Sequence, residues 1–317
     1  MMMHSKRFKN FVIGLGVFTL VTLGLGKFFD SRCETSCIGE AFAANSNNGL
    51  EFKLDNDKRI VLGPNILITL DDEDDGHATR IDEPVTETFP GKDLKEVHIK
   101  SFTTDWKVVD SADEQLRLVF RGYVPKEWTI RQEGGKLDLE LKKKGPREGE
   151  LQLPKNFAGS ITLNSVSGEI QVEQLAQAQD FRLNNVSGDV QIKAAPSRRL
   201  SINTVSGDVE LQASNLNKDL GIDSKSVSGD VIATLISPIK ELRSESVSGN
   251  MELKAGKAVG FEFEMEGVSA SFEGLPNDAR RNEGFGNRSA AGSFGADPKG
   301  RLRFTSVSGD FSLKPAD

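Results

Sequence analysis

The chain has 317 residues, a formal net charge of −7 and an apolar fraction of 37%. That balance describes a solvated globular body and argues against a nucleic-acid binder. There are only three histidines (His4, His77, His98), one tyrosine (Tyr123) and two tryptophans (Trp106, Trp128), which leaves little for histidine chemistry or an aromatic sugar platform.

At the amino end, Lys6, Arg7 and Lys9 precede an uncharged apolar run from Phe11 to Gly26, closed by Lys27. As a helix this run spans about 24 Å, short of a ~30 Å hydrocarbon core, and Phe8, Phe28, Phe29 and a snorkelling Lys27 extend its reach. Residues 1–29 are expected to be a transmembrane signal anchor or a signal peptide, the latter cleaved after Ala43 in Ala41-Phe42-Ala43. Either way the basic flank stays inside. The body is then exported, anchored in the inner membrane facing the periplasm or exterior, or secreted if cleaved. Residues 30–49 read as a juxtamembrane linker. Cys33 and Cys37, the two cysteines of the chain, can pair with each other or across a dimer in an oxidising compartment.

From Leu50 to Val85 the pattern reads as a β-rich cap or stalk. Leu50, Phe52 and Leu54, then Ile60 and Leu62, flank Asp55-Asn56-Asp57 as a hairpin would, and Ile66 to Leu70 is a further strand. Asp71-Asp72-Glu73-Asp74-Asp75-Gly76 partly fits a Ca2+ loop, with Asp82 at its twelfth place. A strand precedes it, however, and Asp82 is shorter than the usual bidentate Glu, so a solvated acidic turn is the plainer reading. Between Leu94 and Leu153 lie short alternating runs without helical period, of a length suited to irregular first rungs.

From Ile161 to Leu313 a Val-Ser-Gly signature returns at Val166, Val186, Val205, Val227, Val247, a degraded Val268 and Val307, at spacings of 20, 19, 22, 20, 21 and 39 residues. The final interval suggests two units with one lost or looped out. Apolar residues alternate on both sides of each signature, as with Phe181 and Leu183 before Val186 and Val190 and Ile192 after it, so each unit is two short strands around a corner. Ser224 and Ser244 break the inward pattern and should narrow the core. One unit cannot bury enough to stand alone, and stacking about 4.8 Å apart supplies the rest. The fold expected is all-β: a right-handed β-helix or β-solenoid with ~20-residue rungs over residues 86–317, carrying a loop insertion at 274–300.

Gly135-Lys136-Leu137-Asp138-Leu139, the Leu153-Pro154-x-x-Phe157 step, the repeated Ser-Val-Ser-Gly-Asp corners and the glycine-dense excursion from Gly274 to Gly300 resemble the putative-adhesin β-strand-repeat domains of bacterial envelope proteins. The resemblance covers about 220 residues. It implies a right-handed β-helix in the envelope, and it carries over no catalytic residue. The degraded corner at Gly267 to Ser271 departs from it.

The repeat places Glu169, Asp189, Asp208, Asp230, Asn250 and Asp310 at one corner. Unit charges about 4.8 Å apart repel by roughly 0.9 kcal/mol even in water. Turn amides and solvent can offset this, or cations such as Ca2+ bridging Asp189, Asp208 and Asp230. The 277–288 loop, with Arg280, Arg281 and Phe285, reads either as a tolerated bulge or as a contact for an anionic polymer or partner. The function expected is a non-enzymatic, adhesin-like or scaffold module meeting a cell-surface polysaccharide or envelope protein. A membrane-anchored sensory or regulatory ectodomain and a polysaccharide lyase or hydrolase are the alternatives. The acids are spread one per rung, whereas lyase or hydrolase chemistry needs them convergent.

Overall fold

A computed structural model describes residues 50–54, 58–62, 79–124, 128–141, 146–175, 177–213, 216–284, 287–295 and 297–316. The expected anchor, Ala43, Cys33, Cys37, the Ile66–Leu70 strand, the Asp71–Gly76 turn and Phe285 lie outside the described residues. The chain divides into two units, Met1–Asp74 and Asp75–Asp317. In the first, β1 (Leu50–Leu54) and β2 (Lys58–Leu62) pair antiparallel with Leu50 opposite Leu62.

The second unit opens with β3 (Thr79–Pro90), β4 (Glu96–Ser101), β5 (Asp105–Asp110), β6 (Gln115–Val124), β7 (Trp128–Glu133), β8 (Lys136–Leu141) and β9 (Glu148–Leu153). The regular pairs follow: β10 (Ser160–Ser165) with β11 (Ile170–Val172), β12 (Asp180–Asn185) with β13 (Val190–Ile192), and β14 (Arg199–Thr204) with β15 (Val209–Ala213). After them come β16 (Gly221–Ser226) with β17 (Val231–Leu235) and β18 (Glu241–Ser246) with β19 (Met251–Ala255). The chain ends in β20 (Phe261–Gly267), β21 (Phe272–Glu273), β22 (Arg280–Gly284), β23 (Asn287–Phe294), β24 (Gly300–Ser306) and β25 (Phe311–Pro315).

Each rung gives its first strand to a 12-stranded sheet and its second to an 11-stranded sheet. The inward positions of both sheets bury into one cluster running from Leu94 to Phe311. Phe181 stacks over Ile161 and Leu200, and Val190 over Ile170 and Val209, in parallel register. The inward residues therefore form columns through the stack, one of them interrupted by the buried Ser224 and Ser244 between Ile202 and Phe304, and each rung's edges are satisfied by its neighbours.

Spatial order departs from chain order at both ends. The first rung, β4 with β5, lies between β8–β9 and β10–β11. The last, β24 with β25, lies between β18–β19 and β20–β21. The 39-residue interval therefore hides no lost unit. The chain leaves β19, skips one layer to build β20–β21, makes a hairpin, and returns to fill the layer that it skipped. Outward charges favour this order at two of three columns and oppose it at the third, where Arg243 meets Arg303. With β24 inserted, the columns read Glu241, Arg301, Glu262 and then Arg243, Arg303, Glu264. Direct contact of β18 with β20 in the same register would set Glu241 against Glu262 and Glu245 against Glu266, and like charges directly opposite are destabilising.

The segment expected as a loop insertion is instead β22 and β23, an antiparallel hairpin that extends the 12-stranded sheet past β20. At the other end β3, β6 and β7 add antiparallel to β9 and β8, with Trp128 packed on Phe120 at a ring separation of 4.7 Å. β3 crosses the boundary expected at Val85, so residues from Thr79 onward belong to this sheet. Its register shift between Ile81 and Val85, together with Pro84 and Pro90, makes a poor template for further pairing.

Candidate functional site

The corner gives each motif residue a distinct task. The valine is inside the turn but not core: Val166, Val186, Val205 and Val307 remain half-buried. The serine bonds to the rung beneath. Ser206 N–H lies 2.9 Å from the Val186 carbonyl, Ser228 N–H 3.1 Å from that of Val205 and Ser248 N–H 2.9 Å from that of Val227, and each hydroxyl donates to the same carbonyl. The glycine has no room for a side chain, since a Cβ on Gly207 or Gly249 would overlap the carbonyl oxygen of Gly188 or Gly229. Gly168, Gly188 and Gly207 are also at positive φ (126°, 109° and 118°).

From Asp189 onward the acid column is a column of amide acceptors, while Glu169 accepts from the Gln171 side chain. Asp189 Oδ1 accepts the Asp208 amide at 3.0 Å, Asp208 Oδ1 that of Asp230 at 2.9 Å and Asp230 Oδ1 that of Asn250 at 2.8 Å. Asn250 does the same for Asp310, and Asp310 for Ser271. A side-chain oxygen suffices, charged or not, which is why Asn250 serves in one rung. These bonds offset the repulsion along the column. Among the described residues no three His, Cys, Asp or Glu side chains converge on a metal-sized site.

The degraded corner is a compensated one. Ala270 replaces the corner glycine, and Gly267 stands where other rungs have Ser, Thr or Asn; a Cβ there would overlap that of Ala270. Above this rung the 11-stranded sheet ends at β21. Two arginines of the hairpin reach back to it: Arg281 donates to the Phe272 carbonyl at 3.5 Å and Arg288 to that of Ala270 at 3.2 Å. Arg281 thus covers a sheet edge, while Arg280 is exposed on β22.

Two features were not legible beforehand. His98 precedes the Val-Ser-Gly repeats in the sequence, yet β4 is a rung and His98 pairs in register with Thr162. It stands 3.5 Å from Asp138 and 3.6 Å from Glu96. Burial pushes its pKa down, with Lys136 adding to this and the two carboxylates opposing it. The second is an asparagine ladder: Asn203 donates to Asn184 and Asn184 to Asn164, each at 2.8 Å. Asn164 and Asn184 are buried and Asn203 half-buried, although all three stand at outward positions two residues ahead of the corner valines.

Further along the same outer face, Lys225 lies 3.0 Å from Glu245, which also pairs with Arg243. Burial opposes ionisation of Glu245, but the two cations outweigh it and hold its pKa below the usual carboxylate value. An open cleft of about 640 Å3 lies at the return loops, lined by Lys92, Lys95, Glu114, Phe157 and Asp180 among others.

A family model described as Toastrack DUF4097 matches residues 95–313. No curated protein matches. Among solved structures the chain is similar to a putative cell adhesion protein from Clostridium sporogenes, at 10% identity over 74% of this chain and 100% of that one, with a TM-score of 0.34. It is also similar to a putative adhesin from Bacteroides fragilis, at 12% identity over 74% and 98% respectively, with a TM-score of 0.38. The family model takes in every regular rung and the hairpin between the last two, and the chain belongs to the Toastrack DUF4097 family.

Proposed function

We propose that this protein is a non-enzymatic binding or scaffold module of the cell envelope, carried outside the membrane by residues 1–29 and presenting the outer faces of its two long sheets. The reading includes a right-handed coil, the sense that parallel crossovers take in nearly all cases. The observation that carries it is the fate of the repeated polar groups. Serine hydroxyls and aspartate carboxylates at the corner are taken up by bonds to the next rung, which makes them structural. The outward columns carry charged and amide side chains that differ from rung to rung. Among the described residues the one large apolar side chain left exposed is Ile236, at 46%, so the favoured partner is polar: a cell-surface polysaccharide or a charged envelope protein. Arg280 extends that surface at one end.

The test is cell fractionation with sequencing of the mature amino terminus, followed by glycan-array and whole-cell binding with residues 44–317. Saturable binding without reducing-end or unsaturated products is expected. Turnover of a polysaccharide, or a cytoplasmic location, would overturn the proposal.

A further inference from the structure

The layer filled by β24 and β25 is unlike every regular rung. Those of β12 to β17 touch the rungs directly before and after them in the chain, to which short return loops tie them. The β24–β25 rung touches β18–β19, from which 44 residues (256–299) separate it, and β20–β21, to which it is joined through the hairpin. The slot that it occupies is specific on all three sides. Leu302, Phe304 and Phe311 enter the core and are buried. Outside, Arg303 pairs with Glu264 at 2.8 Å. At the corner, the Asp310 amide donates to Asn250 and the Asp310 carboxylate accepts from Ser271.

We propose that this rung is exchangeable and that the slot takes the same segment, Gly300–Pro315, from a second copy of this chain. Each contact in the slot is intermolecular in all but covalent connection, so a partner's rung makes the same set. The two forms differ in the connector and in concentration. In the closed form the connector turns at Gly295, at φ 84°, where a Cβ would lie 2.6 Å from the Gly260 Cα. In the exchanged form that turn opens. Closure within one chain works against an effective concentration of about millimolar for a short linker, so exchange grows with protein concentration and with anything that disfavours the turn.

The experiment uses the full chain with Cys33→Ser and Cys37→Ser. Lys254 and Lys314 are register partners on β19 and β25, close enough for a disulfide between adjacent strands. Chains carrying Lys254→Cys and chains carrying Lys314→Cys are unfolded, mixed, refolded together and oxidised. A covalent heterodimer is expected, at least about tenfold more abundant at several hundred micromolar than at a few micromolar. Lys193→Cys, on β13, replaces Lys254→Cys as the control for random collision. Light scattering on the chain without engineered cysteines supplies a second readout, in which Gly295→Ala is expected to raise the dimer fraction severalfold. Equal cross-linking with the Lys193→Cys control, or chains that stay monomeric at every concentration with and without Gly295→Ala, would overturn the proposal.

Discussion

Ser308 and Val247, 61 residues apart, are joined across adjacent layers: the Ser308 amide lies 3.0 Å and its hydroxyl 3.3 Å from the Val247 carbonyl. The next serine outward in space is Ser269, which bonds to the Val307 carbonyl at 2.9 Å. The corner bonds therefore run unbroken through the inserted layer, and they follow spatial order where it departs from chain order. The hydrogen-bond geometry of the motif is indifferent to how the chain connects its copies. Side chains elsewhere in the rung, inward or outward, must select the order.

Arg303→Glu tests that selection. It replaces the Arg303–Glu264 pair with two facing acids, offset in part by the attraction of Arg243 on the other side. Both partners are nearly half exposed, so the cost should be modest, about 0.5 to 1 kcal/mol in a urea titration at low salt. It should shrink in 0.5 M salt, as roughly a 3 to 5 Å Debye length screens exposed charges. Adding Glu264→Arg should recover most of it. A loss that ignored salt and resisted the charge swap would mean that packing alone sets the order.

The glycines divide into those that must be glycine and those that need not be. A Cβ on Gly249 would overlap the Gly229 carbonyl, whereas one on Gly221 in β16 meets nothing within 4 Å. Gly249→Ala should cost about 2 to 3 kcal/mol by forcing adjacent corners apart. Gly207→Ala should cost at least as much, because positive φ adds backbone strain. Gly221→Ala should be neutral or stabilise by up to about 1 kcal/mol through the unfolded chain. Thermal melts of the three variants provide the comparison.

The two readings of the acid column part at Asp208. As an amide acceptor, Asp208→Asn keeps the bond to the Asp230 amide, as Asn250 already does for Asp310, and relieves repulsion from Asp189 and Asp230. Its stability should match or slightly exceed that of the parent, while Asp208→Ala should lose about 1 to 2 kcal/mol. As a cation ligand, both variants would lose Ca2+-dependent stability alike. Melting temperatures in Ca2+ and in chelator, unchanged for all three proteins, are the expected outcome.

Strand positions, inward columns and the need for glycine at the corner were readable because each leaves a periodic mark: Phe181 and Leu183 recur as Leu200 and Ile202 whatever lies outside. Layer order left no such mark, since spacing along a chain does not say which edges meet. Glu262 and Glu264 against Arg301 and Arg303 are a charge pattern between strands that fits the observed order. The β22–β23 hairpin was hidden for a related reason. Arg280 to Phe294 presents little apolar alternation, and its pairing rests on backbone bonds to β20. At the corner the sequence left open what the acids bind, because an aspartate beside a turn glycine looks alike whether it faces an amide or an ion.

Asp223 gives the pH dependence a sign. Its Oδ1 and the Nε of Arg243 are buried without hydrogen-bond partners. Burial pushes its pKa up; Lys225 and Arg243 oppose this, and Glu245 and Glu241 reinforce it. Ser201 of β14 is its register neighbour on the other side and brings no charge. A carboxyl whose pKa is raised by folding stabilises the native state most below its ordinary value of 3.8, and that contribution is lost as pH rises through the folded value. At neutral pH the ionised Asp223 is therefore a liability. Asp223→Asn should raise the urea midpoint at pH 7, with the gain fading as pH falls toward 3.8. Asp113 runs the other way. The Arg117 guanidinium and the Gln115 amide hold its pKa down at about 2, so its contribution is present at neutral pH and lost as pH falls through that value. Asp113→Asn should lower the midpoint at pH 7 and leave it unchanged below about pH 2. Urea titrations of both variants across this range check the two signs together, and a parallel response would refute the assignment of either.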